Sequence, residues 1–244
     1  MGKKKALLLV PVFMAGALVG VVQNEDQKTY VVHDSSFITP VIPAVKSEIK
    51  LNVPRIGQYP ELPRGCEVTS LAMLLQYSGV SVDKMRLAKE VKKTTEPYVN
   101  KDGAVSYGHP NEGFVGDIYS LNNMGYGVYH KPIAMLAENY TPGRILDLTG
   151  APFSQVLSSL QDNKPVWIIT NVTYDVLPDS EFRTWQTPQG IVKITWKEHS
   201  VLITGYDKEY VYFNDPLLKK ERAPRDKFIA AWEQMGSQAI TYSD

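Results

Sequence analysis

Pro63-Arg64-Gly65-Cys66-Glu67-Val68-Thr69-Ser70-Leu71-Ala72-Met73-Leu74-Leu75 is the point where a loop becomes a helix, and it holds the only cysteine of the 244-residue chain. Val68, Leu71, Ala72, Leu74 and Leu75 recur at spacings of three and four, the pattern of a helix with one buried face. Gly79 supplies the stop. Cys66 therefore falls at a helix N-terminus, where the dipole favours a thiolate. A lone cysteine cannot be an internal disulfide; it is either a small apolar filler or present for its thiol.

The first residues favour the thiol. Met1-Gly2-Lys3-Lys4-Lys5 is a basic start, Ala6 to Val22 is an uncharged apolar run, and Gln23-Asn24-Glu25-Asp26 turns polar. This is the pattern of a secretory signal or a signal-anchor over residues 1–22. Ala15-Gly16-Ala17 offers a small-x-small cleavage site, while the apolar run is short for a spanning helix of roughly 20 residues. Both forms stay open, and no nearby cysteine supports a lipoprotein anchor. Exported chains commonly use cysteines in disulfide pairs, so an unpaired one calls for another purpose.

The formal charge is zero, but the three lysines at the start account for the balance. Beyond residue 22 the chain has 23 basic and 26 acidic residues, net −3, and no nucleic-acid footprint is expected. Residues 23–48 read as a linker or N-terminal arm, broken by Pro40 and Pro43. Residues 49–244 are long enough for one well-cored domain.

Within that domain the periodicities predict helices first and strands second. A second helix is expected over Val82–Val91 with Ser81 as cap, a third over Gly116–Met124, and a fourth over about Pro152–Gln161. Residues 94–113 are loop-like, rich in Gly, Asn, Asp and Pro. Pro165–Val172 reads as a strand buried on both faces, Ile191–Trp196 alternates, and His199–Tyr206 and Tyr210–Phe213 are further strands. A last helix covers about Arg225–Glu233. The result is an α+β fold with an antiparallel sheet in its second half.

A nucleophilic thiol needs a base and an orienting group. Of four histidines, His33 precedes the domain, and His109 and His130 sit in polar loop or surface contexts. His199 heads a strand that would hold its ring rigidly. If 199–206 and 210–213 form a hairpin through Asp207-Lys208-Glu209, Asp215 returns near His199, with Asn214 as the alternative orienter. Glu198 points to the opposite strand face from His199, so a shared metal is not expected. There is no zinc-peptidase, phosphate-loop or dinucleotide pattern.

These segments resemble papain-fold cysteine peptidases of the C39-like group, relatives of bacteriocin-leader peptidase domains. The resemblance rests on Gln58 ahead of Gly65-Cys66-Glu67-Val68-Thr69-Ser70-Leu71-Ala72-Met73-Leu74-Leu75, on His199-Ser200-Val201-Leu202-Ile203-Thr204-Gly205-Tyr206-Asp207, and on Val211-Tyr212-Phe213-Asn214-Asp215-Pro216, and it spans residues 51–235. It implies a papain-like fold whose nucleophile helix packs on the C-terminal sheet. It implies Cys66 as nucleophile, His199 as ion-pair partner and general acid, and Asp215 as orienter. Gln58 and the Cys66 N–H would form an oxyanion hole. Two features depart from the pattern. Gln58 lies eight residues before Cys66, a long interval, and Glu67 stands where relatives often carry glycine. A carboxylate there disfavours a thiolate.

The expected function is an exported cysteine peptidase that needs neither metal nor organic cofactor. Its substrate would be a peptide or protein, cell-wall-associated ones included. It would be secreted or held at the outer face of a bacterial cytoplasmic membrane, touching the membrane only through residues 6–22 if these are retained. The alternatives are a papain-fold acyltransferase or cell-wall amidase, and a non-catalytic peptide- or wall-binding module. Residues 94–113 and Tyr174–Gln189 are expected groove walls.

Overall fold

The computed structural model describes residues 46–244 and two short strands ahead of them, β1 (Gly20–Gln23) and β2 (Thr29–Val32). These two pair antiparallel in a unit of their own. The rest of residues 1–45, with His33 and most of the expected export segment and arm, lies outside the described residues.

From residue 46 the elements run β3 (Ile49–Lys50), α1 (Cys66–Tyr77), α2 (Lys84–Glu90), β4 (Val99–Lys101), β5 (Ala104–Ser106), α3 (His130–Glu138), β6 (Ile145–Asp147), α4 (Phe153–Gln161), β7 (Val166–Asn171), β8 (Phe182–Thr187), β9 (Gly190–Thr195), β10 (Glu198–Tyr206), β11 (Tyr210–Asn214), β12 (Arg222–Pro224), α5 (Arg225–Gln234) and β13 (Ala239–Tyr242). The class is α+β. The main sheet has the order β12-β11-β10-β7-β13-β6, with β3 paired to the far end of β10, and every pairing in it is antiparallel.

β7 is buried at every residue because both faces of the sheet are covered. Trp167, Ile169 and Leu202 pack on one side with Leu71, Leu74, Leu75 and Ile133. Val166, Ile168, Val201 and Ile203 pack on the other with Phe153, Phe228 and Trp232. Strand alternation thus divides the side chains of β7 and β10 between two cores.

Three expectations are corrected. Gly116–Met124 is not helical: Gly116 has φ +81° and bridges Gly125, and residues 115–117 exchange backbone hydrogen bonds with 124–127. Asp117 turns its carboxylate to the Tyr119 N–H at 2.8 Å, a local bond that competes with a helix. The third helix is instead α3, with Ile133, Leu136 and Ala137 buried and Pro132 tolerated in the first turn. Asp83, not Ser81, caps α2 by accepting from the Arg86 N–H at 2.8 Å, so that helix is shorter than its apolar pattern.

The third correction concerns residues 94–113, which contain the hairpin β4–β5. It turns through Asp102 and Gly103, both at positive φ (52° and 88°), as a two-residue primed turn requires. β5 then pairs with β8, and β8 with β9, to form a second, four-stranded sheet. The two expected groove walls are therefore parts of one sheet, tied further by Trp185 Nε1 donating to the Gly108 carbonyl at 3.1 Å.

Candidate active site

Cys66 is the first residue of α1. Gly65 before it has no side chain to cap the helix, and the first N–H bonded back is that of Thr69, to the Gly65 carbonyl at 3.0 Å. The leading N–H groups of the helix are thus left without intrahelical acceptors. The helix start is pinned from behind, where Trp167 Nε1 on β7 donates to the Glu67 carbonyl at 2.9 Å. Ser70 Oγ donates to the Ser200 carbonyl on β10 at 3.2 Å.

His199 and Asp215 meet as the hairpin reading requires. β10 and β11 pair in antiparallel register, and His199 Nε2 lies 2.8 Å from Asp215 Oδ1 with both side chains buried. Asp215 also accepts from the backbone N–H groups of Leu217 (2.7 Å), Lys219 and Lys220 (both 3.3 Å). Burial alone would raise its pKa, but the bonds from His199, Leu217 and Tyr174 outweigh it and hold the carboxyl below its ordinary range. Asn214 is not the orienter, because its amide donates to the carbonyls of Val53 (3.0 Å) and Pro54 (3.2 Å). With Nε2 committed to Asp215, Nδ1 is the ring nitrogen left for proton transfer.

Gln58 is buried on a loop that the Pro216 carbonyl holds at 2.9 Å through the Gln58 backbone N–H. Its side-chain amide donates to the carbonyls of Leu62 (3.2 Å) and Pro63 (3.0 Å). Both protons are thereby spent bracing the loop that delivers Cys66, and Oε1 is buried without a partner among the described residues. An oxyanion role for Gln58 requires one of these bonds to be given up.

Among the described residues, the side-chain hydrogen-bond partner of Cys66 is Glu67, not His199: Sγ lies 3.3 Å from Glu67 Oε2. Glu67 Oε1 accepts from the Val128 N–H at 2.7 Å. Glu198 completes the group. Sγ and one oxygen from each of Glu67 and Glu198 lie within 4.8 Å of one another. Glu198, the neighbour of His199 on β10, thus joins the Cys66–Glu67 group.

Burial raises the Cys66 thiol well above its ordinary pKa, and the charges of Glu67 and Glu198 add to the effect; the Ser200 backbone N–H opposes them. In the resting structure these influences overcome the helix N-terminus that the sequence invokes for a thiolate. Burial also pushes Glu67 up, to about 7, against the bonds from its own N–H, Val128 and Cys66. Glu198 is raised by burial and by the charge of Glu67. A thiol and two carboxyls are metal-ligand types, and ligation would require all three to give up their protons.

Tyr174, the first residue of an expected groove wall, stands instead beside the His–Asp pair. It follows β7 at positive φ (59°), and its ring lies edge-on to His199 with centroids 6.2 Å apart. Burial and then the Asp215 carboxylate keep its phenol protonated. On the other flank, Tyr126 packs edge-on against Trp185 and Trp196, and its hydroxyl is 3.0 Å from that of Tyr129. Trp196 is 54 % exposed, so this aromatic cluster reaches solvent beside the acid pair.

The other described histidines lie elsewhere. His109 Nδ1 accepts from the Asn111 N–H at 3.1 Å, and burial lowers its pKa. His130 Nδ1 is 2.6 Å from Asp147. A cleft of about 430 Å³ is lined by Tyr129, His130, Phe182, Lys193 and Gln238 among others, but not by Cys66, His199 or Asp215. No helix among the described residues is long and apolar enough to cross a membrane.

The α+β fold is of a peptidase-like class. The chain belongs to the Peptidase_C39 like family, whose model matches residues 50–240. It is 47 % identical over 182 residues to the uncharacterized protein YvpB of Bacillus subtilis (strain 168), covering 74 % of this chain and 70 % of that one. It is also similar to a crystal structure from Bacillus anthracis described as a candidate C39-like peptidase, with 51 % identity and a TM-score of 0.75, covering 82 % of this chain and 98 % of that one.

Proposed function

We propose that this chain is an exported cysteine peptidase with a papain-like arrangement and a Cys66–His199–Asp215 triad. The observation that carries the reading is the buried His199–Asp215 pair at 2.8 Å on the β10–β11 hairpin, beside the helix that Cys66 opens, which is tied to β10 by Ser70 Oγ donating to the Ser200 carbonyl. Export rests on the Lys3–Val22 pattern, and secretion and retention at the outer membrane face are both compatible with it.

His199 Nδ1 takes the Cys66 proton, and the sulfur attacks the peptide carbonyl carbon. The oxyanion is met by the Cys66 N–H at the uncapped helix start and by Gln58 once its amide is released from the loop. His199 then protonates the leaving amine, giving a thioester. Water attacks the thioester with His199 as base, freeing the acid and restoring the thiol. Asp215, ionised throughout, fixes the tautomer and supports the imidazolium.

One observation favours a second reading, a non-catalytic peptide- or wall-binding module: the resting thiol is raised and bonded to Glu67. A peptide library assayed by mass spectrometry separates the two. Cys66→Ala and His199→Ala are expected to abolish cleavage, and Asp215→Asn to lower kcat by about 10²–10⁴-fold. His109→Ala and His130→Ala are expected to leave cleavage intact. Cleavage that survives Cys66→Ala sinks the nucleophile, and a wild-type protein that binds peptides without cleaving any leaves the binding module. An acyl product formed only with an added amine marks a transferase.

A further inference from the structure

The long interval from Gln58 to Cys66 is wound into two tight turns. The Leu62 N–H donates to the Gln58 carbonyl at 3.0 Å, and the Gly65 N–H donates to the Leu62 carbonyl at 3.0 Å. Leu62 is fully buried, and a Cβ on Gly65 would come within 2.5 Å of the Leu62 Cβ. The extra length is thus taken up locally, and Gln58 stays bonded through Leu62 to the residue that precedes the cysteine.

Lys84, the first residue of α2, fixes this loop against the rest of the protein. Its Nζ donates to the carbonyls of Gly57 (2.6 Å) and Gln58 (3.1 Å) and to Glu61 Oε2 (2.7 Å). An ammonium has three protons, and all three are used. The lysine side chain is only 13 % exposed, a cost that those bonds offset. α2 in turn packs Leu87 and Ala88 into the same core as Leu71, Leu74 and Leu75 of α1. Lys84 therefore ties Gln58 to the helix that Cys66 opens by a second route, independent of the loop itself.

The Gln58 backbone is consequently held on both sides of its Cα. Its N–H donates to the Pro216 carbonyl at 2.9 Å, next to Asp215, and its carbonyl accepts from Lys84 and from Leu62. Only the side-chain torsions are left to move. It is the side-chain amide that must leave the Leu62 and Pro63 carbonyls to meet an oxyanion. A released donor helps only from a fixed origin, since misplacing a catalytic group by about 1 Å can cost about 10²-fold in rate.

We propose that Lys84 is a positioning residue that anchors the Gln58 backbone, so that the released side-chain amide swings into the oxyanion hole from a fixed Cα. The inference rests on the cysteine-peptidase reading, with Gln58 as oxyanion donor. Lys84 acts through the carbonyls of Gly57 and Gln58, and its ammonium keeps the same three oxygens throughout the reaction.

The test is a double-mutant cycle on peptide cleavage, with kcat and KM measured for wild type, Lys84→Met, Gln58→Ala and the double variant. Methionine keeps an apolar stem and loses all three bonds. Lys84→Met is expected to lower kcat about tenfold with KM within about twofold, and to add less than about twofold once Gln58 is alanine. A lysine that only stabilises the fold would not show that non-additivity. Equal losses in both backgrounds overturn the inference. So do a Lys84→Met enzyme with wild-type kcat and a loss carried by KM alone. Should Lys84→Met not fold, Lys84→Arg takes its place in the cycle, because a planar guanidinium cannot converge three bonds from one atom, and the same outcomes decide. A wild-type protein that cleaves no peptide overturns the peptidase reading and this inference with it.

Discussion

Burying the Glu67 carboxyl has a thermodynamic consequence. Burial raises its carboxyl to about 7, whereas an unfolded glutamate titrates at roughly 4.3. Between these values the folded chain holds a proton that the unfolded chain has released. Stability from this group is therefore full below the unfolded pKa, declines as the pH rises through the window, and levels off beyond the folded pKa. The loss is on the order of 2–4 kcal/mol. Thermal melts of wild type and Glu67→Gln at about pH 5 and pH 7.5 should show a smaller drop in the variant, by roughly 4–10 °C in Tm. Equal drops would place the buried titration elsewhere. Asp215 runs the other way: its lowered pKa lends stability that disappears only as the pH falls through the acid range. At this scale the meeting of His199 and Asp215 was legible from residue type and spacing, while the contact of Cys66 with Glu67 was not. Glu198 was legible only as a residue facing away from His199, because the strand pattern does not say which face α1 covers.

The segment Gly125–Tyr129 shows how an element without regular structure positions the site. Its backbone delivers the Val128 N–H to Glu67, and this close approach is possible only because residue 127 lacks a side chain. Gly127→Ala is expected to cost about 1–3 kcal/mol, as overpacked interiors do, and to speed Cys66 alkylation near neutral pH, because the displaced Glu67 carboxyl no longer helps hold the thiol protonated. A denaturant melt and the alkylation rate check both parts, and an unchanged midpoint would mean the loop absorbs a methyl group freely. The same segment explains the misread third helix. Apolar residues between 116 and 124 mimic helical spacing, but Gly116 needs positive φ and Asp117 bonds its own backbone. α3 was missed because Pro132 hides it, although a proline in the first helical turn costs no intrahelical bond.

As a whole, residues 45–244 form one compact unit. Its N-terminal edge is β3, which pairs with Gly205 and Tyr206 at the end of β10, and Tyr206 Oη donates to the Lys46 carbonyl at 2.9 Å. A chain beginning at Val45 is expected to keep the Tm and the peptide cleavage of the full chain. One beginning at Val53 loses β3 and is expected to melt several degrees lower. Equal melting of the two would show that β3 adds nothing to the sheet, and loss of cleavage in the first would assign residues 1–44 a part in the reaction.

The amino-acid sequence by itself determined the helix at Cys66, the strands read at 165–172 and 199–206, whose ends fall within a residue of β7 and β10, and the hairpin that returns Asp215 to His199, because each depends on local periodicity or a short turn. The second sheet was beyond it, since β5 and β8 are some 80 residues apart and pair through a single parallel register. Only the tertiary structure decided the state of the Cys66 thiol. The helix dipole that the sequence offers Cys66 is a local effect. Burial, and a carboxyl pair assembled from α1 and β10, are not, and in the resting protein they prevail.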